Sequence, residues 1–215
     1  MTLALVVMLY ASSAQGSTQG SAARPAVEQK SPSAPPALSE LEALTRRNPD
    51  DPKGWVLLGL AYLDRTEYPR ALEAFQHAVK VGPQSAEAHN WLGVALAEKA
   101  DLPGAVAEFR KAVALDPKYG RAYSNLGATL AQSGDYAEAV RVFKQALALE
   151  PNNIGAHLNL GTALRETGDL DGAMEHLRRV AAADPENASV QYEIGQTLGQ
   201  SGDTAGAIAA YEIGQ

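Results

Sequence analysis

The chain has 215 residues, a formal net charge of −7 at pH 7, a sequence pI of about 5.1 and no cysteine. The missing thiols exclude disulfides, thiolate nucleophiles and cysteine-based zinc sites. The acidic charge argues against nucleic acid or an anionic membrane surface as the partner, because both attract basic proteins. Hydrophobic residues make up 46% of the sequence and aromatic residues only 6%, which favours closely packed helices over a β-sandwich.

Residues 1–16 have the composition of an export signal. An apolar run extends from Leu3 to Tyr10, and the small residues after it suit cleavage after Ala14 or Gly16. The run is too short to cross a bilayer, which takes roughly 20 apolar residues, so we expect no membrane span. The basic start of a secretory signal is missing, because no charged residue precedes Arg24. We expect a signal peptide and a periplasmic or secreted protein; if the run is only an apolar N-terminus, the protein is cytoplasmic.

Two short segments follow. Residues 17–37 are rich in Ser, Ala, Gln, Gly and Pro and hold few large apolar side chains, which predicts a disordered tether. Residues 38–51 carry Leu38, Leu41 and Leu44 at helical spacing, which predicts a lead-in helix that ends before Asn48. This helix resembles the second half of the repeat that follows it.

From residue 52 onward the sequence repeats with a period of 34 residues. The units are 52–85, 86–119, 120–153, 154–187 and an incomplete fifth unit, 188–215. Three positions recur in all five units: glycine at position 8, alanine at position 20 and a large apolar residue at position 24. Position 32 is proline in every complete unit. These residues are Gly59, Gly93, Gly127, Gly161 and Gly195; Ala71, Ala105, Ala139, Ala173 and Ala207; Phe75, Phe109, Phe143, Leu177 and Tyr211; and Pro83, Pro117, Pro151 and Pro185.

The spacing within each unit predicts two helices that each bury one face. Glycine at position 8 and alanine at position 20 let the two backbones cross closely, and the residue at position 24 fills the space beside them. Later units place a glycine where the first helix needs a left-handed C-terminal residue, and an aspartate after it as the N-cap of the second helix. These pairs are Gly134 and Asp135, Gly168 and Asp169, and Gly202 and Asp203.

The repeat resembles the tetratricopeptide repeat family over residues 52–215. The family pattern is matched by Trp55, Leu58, Gly59, Tyr62, Ala71, Phe75, Ala78 and Pro83. The resemblance implies an all-α solenoid, a right-handed superhelix of helical hairpins, with ten helices in this range. It also implies a non-catalytic scaffold that binds a peptide or protein segment in its concave groove.

In this family the groove is lined by first helices at positions 2, 5, 6, 9, 12 and 13. The candidate binding residues at these positions are Asn90, Trp91, Arg121, Asn125, Asn159, Thr162 and Arg165. Asn125 and Asn159 share position 6 of adjacent units, which resembles the peptide-binding asparagine ladder of O-linked N-acetylglucosamine transferase arrays; they are otherwise ordinary exposed asparagines. Trp91 is either a binding anchor or a filler between repeats. A carboxylate clamp known in the family is absent, since Val56 and Leu60 occupy its lysine and asparagine positions.

No catalytic, cofactor or metal site is expected. The sequence contains none of the common nucleophile, phosphate-loop or zinc motifs. Of its four histidines, His89 and His157 hold position 4, where we expect core packing, and His77 and His176 are expected at solvated positions.

Two other functions stay open at this point. The chain could be the substrate-recruiting repeat region of a larger enzyme, such as a glycosyltransferase-type protein, or a structural spacer in an envelope assembly. The fifth unit is incomplete and lacks a polar outer face, which favours a sequence truncated within this unit; self-association through the exposed face is the alternative.

Overall fold

A computed structural model describes residues 37–214. Within this range the chain forms α-helices and no β-strand, and none of the helices is long and apolar enough to cross a membrane. The all-α solenoid class is confirmed, as are ten helices from residue 52 onward. The predicted signal peptide and residues 17–36 of the tether lie outside the described residues. The helices are α1 Leu38–Arg47, α2 Pro52–Asp64, α3 Tyr68–Val81, α4 Ala86–Glu98, α5 Leu102–Leu115, α6 Gly120–Gln132, α7 Tyr136–Leu149, α8 Ile154–Glu166, α9 Leu170–Ala183, α10 Ala188–Ser201 and α11 Thr204–Ile213.

The described part of the chain divides into two compact units, the first ending at Pro83 and the second beginning at Gln84. In the first unit, α1 packs against α2 and buries Leu41, as the leucine spacing predicts. The Glu42 carboxylate accepts hydrogen bonds from the Tyr62 hydroxyl at 2.9 Å and from the Arg70 guanidinium at 3.1 Å. The same guanidinium lies 4.3 Å from the Tyr62 ring centroid. Helix α1 therefore docks as the second helix of a repeat would.

The second unit holds four hairpins, α4–α5, α6–α7, α8–α9 and α10–α11. The two helices of each hairpin pack against each other, and the second helix packs against the first helix of the following hairpin. The core between the last two hairpins is formed by Leu177, Val180, Val190, Ile194 and Ala210.

The two helices of each hairpin cross where the glycine at position 8 faces the large side chain at position 24. A Cβ placed on Gly93 would lie 2.7 Å from the Phe109 ring, and one on Gly127 would lie 2.7 Å from the Phe143 ring. Both rings are buried, at 1% and 0% exposure. Because no side chain fits at position 8, the aromatic ring fills the space against the bare helix backbone.

The turns inside the hairpins also form as predicted. Gly134, Gly168 and Gly202 have φ of 85°, 86° and 90°, a conformation that glycine adopts without steric cost. The aspartate that follows each of them accepts a hydrogen bond from the backbone N–H three residues later. Thr66 and Ala100 take the same left-handed place in the first two repeats, with φ of 60° and 62°.

The turns between hairpins carry a second recurring contact, from position 4 to the preceding proline. Trp55 Nε1 donates to the Pro49 carbonyl at 2.8 Å, His157 Nε2 to the Pro151 carbonyl at 3.0 Å, and Gln191 Nε2 to the Pro185 carbonyl at 2.6 Å. These bonds fix the starts of α2, α8 and α10 to the segment that precedes each of them.

Candidate peptide-binding face

The candidate site lies on the first helices of the second unit, α4, α6, α8 and α10. Each of them contacts the next, so their side chains at positions 2, 5, 6, 9, 12 and 13 form one surface, here called the A-helix face. All seven candidate residues belong to it.

Where α4 meets α6, this face holds a buried amide pair. The Asn125 Nδ2 group donates to Asn90 Oδ1 at 2.9 Å, and the two residues are 8% and 0% exposed. The sequence pattern relates Asn125 to Asn159, but the hydrogen bond observed among the described residues joins it to Asn90. We expected Asn90 on the accessible groove surface, and this was wrong, because the packing of α4 against α6 encloses it.

Two buried polar atoms lack a hydrogen-bond partner within residues 37–214. They are Nδ2 of Asn90, which is part of this pair, and Oγ of Ser124, which precedes Asn125 in the chain. An unpaired buried donor costs about 1–3 kcal/mol, so this is the least satisfied part of the face.

Asn159 differs from Asn125. Its side chain is half-buried and makes no hydrogen bond with any described residue, so both its carbonyl and its amino group are available. Thr162 on the same helix is already used, because its hydroxyl donates to the Leu158 carbonyl at 3.2 Å. Asn159 is therefore the candidate amide whose donor and acceptor are both unused among the described residues.

The two arginines of the face have different environments. Arg121 is exposed. Arg165 is only 10% exposed in its side chain and is held by Glu166 at 2.8 Å and Glu193 at 3.2 Å. The Arg165 guanidinium links α8 to α10, so it acts as a structural ion pair and offers little surface to an anionic group.

Trp91 is 9% exposed, and Val94, one helical turn further on, is 7% exposed. Of the two alternatives for this tryptophan, the burial favours the filler over the exposed anchor. An anchor would keep a large part of its ring open to a partner.

Glu98 lies at a groove position, position 13, but was not among the seven candidate binding residues. It is half-buried at the end of α4, and burial raises the pKa of its carboxyl group above the usual range. It shares position 13 with Gln132, Glu166 and Gln200, and this row of oxygen-bearing side chains was the signal available in the sequence.

The histidines confirm core packing at position 4, since His89 is 4% exposed and His157 is 3% exposed. His89 Nδ1 lies 2.6 Å from the Glu108 carboxylate. That carboxyl group also accepts from Lys111 at 2.7 Å. Burial would raise the pKa of Glu108, but hydrogen bonds from Lys111 and His89 outweigh burial and lower it.

The expectation of a solvated His176 was wrong. It is half-buried, and its Nδ1 lies 2.9 Å from Nδ1 of His157. A carbonyl only accepts, so His157 Nε2 carries a proton toward Pro151, and a single proton lies between the two Nδ1 atoms. Burial, and next the neighbouring His157, lower the pKa of His176. His77 is exposed, as expected, and stacks on Trp55 with ring centroids 4.5 Å apart.

No group of three or more histidine, aspartate or glutamate side chains is arranged to hold a metal ion in the part of the chain that the structure describes. The A-helix face can offer a partner hydrogen bonds and packing surface.

Solved structures with a similar fold include the following three. YrrB, described as a TPR protein with an unusual peptide-binding site, has a TM-score of 0.73 and 22% identity, covering 83% of this chain and 92% of YrrB. MamA from Desulfovibrio magneticus RS-1 has a TM-score of 0.70 and 24% identity, covering 75% and 91%. The pilF protein of Pseudomonas aeruginosa has a TM-score of 0.66 and 26% identity, covering 76% and 74%.

Three sequence models described as tetratricopeptide repeat match the chain. The first matches residues 36–76 and 56–120, the second 108–141, and the third 130–192 and 164–213. A search of curated protein sequences gave no match. The matched segments overlap and together span residues 36–213, a range that includes all the helices described above, and the chain therefore belongs to the tetratricopeptide repeat family.

Proposed function

We propose that the protein is a non-catalytic scaffold that binds an extended peptide segment of a partner protein on its A-helix face. The observation that carries the proposal is Asn159, a half-buried amide that no described residue satisfies. An amide side chain presents both a donor and an acceptor, so it can pair with the backbone of a peptide whatever the peptide's sequence.

Asn125 supports the same function in a fixed orientation. Its amino group is held by Asn90, which points its carbonyl oxygen away from that bond and leaves it without a hydrogen-bond donor among the described residues. A peptide N–H can supply that donor. The peptide-binding site named for YrrB lends support from a protein of the same fold.

Selection from a phage-displayed library of random dodecapeptides tests this function. Peptides enriched on the wild-type protein should bind Asn159→Ala more weakly by roughly fivefold, the loss of a hydrogen bond worth about 1 kcal/mol. Gln145→Ala is the matched control, because Gln145 is an exposed amide on α7, a second helix. If no peptide is enriched, or if both variants bind alike, the A-helix face is not the peptide site.

Two finer proposals concern partners and location. We propose self-association through α11, where Ile208 is 53% exposed and Ile213 is 55% exposed; Met174 holds the same position as Ile208 in the preceding repeat and packs against the core there. Light scattering should show a dimer that Ile208→Lys abolishes, and a wild-type monomer at all concentrations would refute it.

We also propose export through residues 1–16; a mature N-terminus near Gln15 or Ser17 is expected, and one at Met1 would contradict it.

A further inference from the structure

Glu98 stands apart from the other partly buried carboxylates of the second unit. Among residues 84–214 the other three are Glu108, Glu138 and Glu193, and each has a cationic or histidine partner. Glu108 pairs with Lys111 and His89, Glu138 with Arg110 at 2.8 Å, and Glu193 with Arg165. Glu98 makes no ion pair or hydrogen bond with any described residue.

The position of Glu98 on α4 also disfavours its negative charge. Glu98 is the last residue of the helix Ala86–Glu98, where the unpaired carbonyl groups carry partial negative charge and disfavour an anion. A half-buried carboxylate at this end, without a partner, is destabilising in the unbound protein. The residue lies four positions after Val94 and seven after Trp91, so all three share the A-helix face.

The charge of the face does not compensate for Glu98. Its carboxylates within the second unit are Glu87, Glu98, Glu166 and Glu193, against Arg121 and Arg165. Arg165 is already shared by Glu166 and Glu193. The face is therefore short of positive charge, and most clearly so where Glu98 lies.

We propose that Glu98 is a specificity-determining residue of the A-helix face and that it receives a lysine or arginine side chain of the bound peptide. This inference rests on the proposed function and names the chemistry of the partner. Because folding has already removed much of the water around the carboxylate, the incoming cation gains an ion pair without the full desolvation cost on the protein side. The chain's net charge of −7 also favours the approach of a cationic segment.

The same dodecapeptide library tests the inference, with selections on the wild type, on Glu98→Gln and on Glu87→Gln. Glutamine keeps the shape of Glu98 and removes its charge. Glu87 is an exposed carboxylate on the same helix and face, so Glu87→Gln controls for a general electrostatic effect. Wild-type pools should be enriched in lysine or arginine at one position, and the Glu98→Gln pools should lose that preference.

A synthetic peptide from the wild-type pool then measures the contact directly. Glu98→Gln should raise its Kd roughly tenfold, as expected for a hydrogen bond to a charged group, and replacing the peptide's lysine by norleucine should do the same. The two changes together should cost no more than either alone, because they remove one interaction. Circular dichroism checks that the variant is folded.

The outcomes separate this inference from the proposed function. Enriched peptides without a preferred lysine or arginine, or equal Kd values for the wild type and Glu98→Gln, would overturn the role of Glu98 and leave peptide binding in place. Equal losses in Glu87→Gln and Glu98→Gln would also overturn it, because the effect would then be diffuse charge. A library that yields no binder on the wild type would overturn both.

Discussion

Replacing Gly127 by alanine should destabilise the protein although alanine is the better helix former. An ideal Cβ at this position would lie 2.7 Å from Cε1, 2.8 Å from Cδ1 and 2.9 Å from Cζ of Phe143. The ring is 0% exposed and cannot move without disturbing the packing of α6 against α7. Overpacking of this kind costs about 1–3 kcal/mol, while the helix propensity gained is about 1 kcal/mol. We expect a net loss of up to roughly 2 kcal/mol.

Gly199→Ala provides the matched control on another first helix. A Cβ added to Gly199 would lie 4.0 Å from the Ala207 Cβ, so a methyl group fits there. The helix propensity gain of up to about 1 kcal/mol therefore remains. Urea unfolding followed by circular dichroism measures both variants. Hydrogen exchange in α6 and α7 checks that the loss is local, because repeat arrays can unfold in parts. A Gly127→Ala protein that gains as much stability as Gly199→Ala would refute the steric argument.

Three further predictions concern single residues. Gly134→Ala should cost about 1 kcal/mol in urea unfolding, because its φ of 85° strains a residue with a Cβ. Glu98→Gln should raise Tm at neutral pH; the raised pKa of Glu98 means that its penalty is present above the folded-state pKa and is relieved on acidification, so equal gains at acidic and neutral pH would contradict the assignment. The lowered pKa of His176 means that its contribution is present above its usual pKa of about 6.5 and is lost as pH falls through the folded-state value. His176→Gln should therefore flatten the fall in Tm below that pH, whereas the exposed His77→Gln should not.

Much of the fold could be predicted because one local pattern is repeated. The period of 34 residues places glycine opposite a large apolar side chain in each hairpin, and the structure shows Gly93 against Phe109 and Gly127 against Phe143. The Gly134 turn and its aspartate cap are equally local, so their chemistry is readable from neighbouring residues. These features need no knowledge of how one repeat lies on the next.

The candidate site was less predictable because its contacts cross between helices at unequal positions. Asn125 at position 6 pairs with Asn90 at position 5 of the preceding repeat, and a comparison of equal positions points to Asn159 instead. His176 and His157 pair across one hairpin through side-chain rotamers that the sequence does not specify. The isolation of Glu98 is the hardest to foresee, because the lack of a partner depends on every surrounding residue.

The hydrogen bonds from position 4 to the preceding proline bear on the engineering of such arrays. Trp55, His157 and Gln191 differ in size and aromaticity, yet each places an N–H on a proline carbonyl. What these three repeats have in common at this position is thus a donor. A designer who shuffles repeats between arrays should choose side chains here by the reach of their N–H, since phenylalanine would preserve the ring and leave the carbonyl of the junction without its donor.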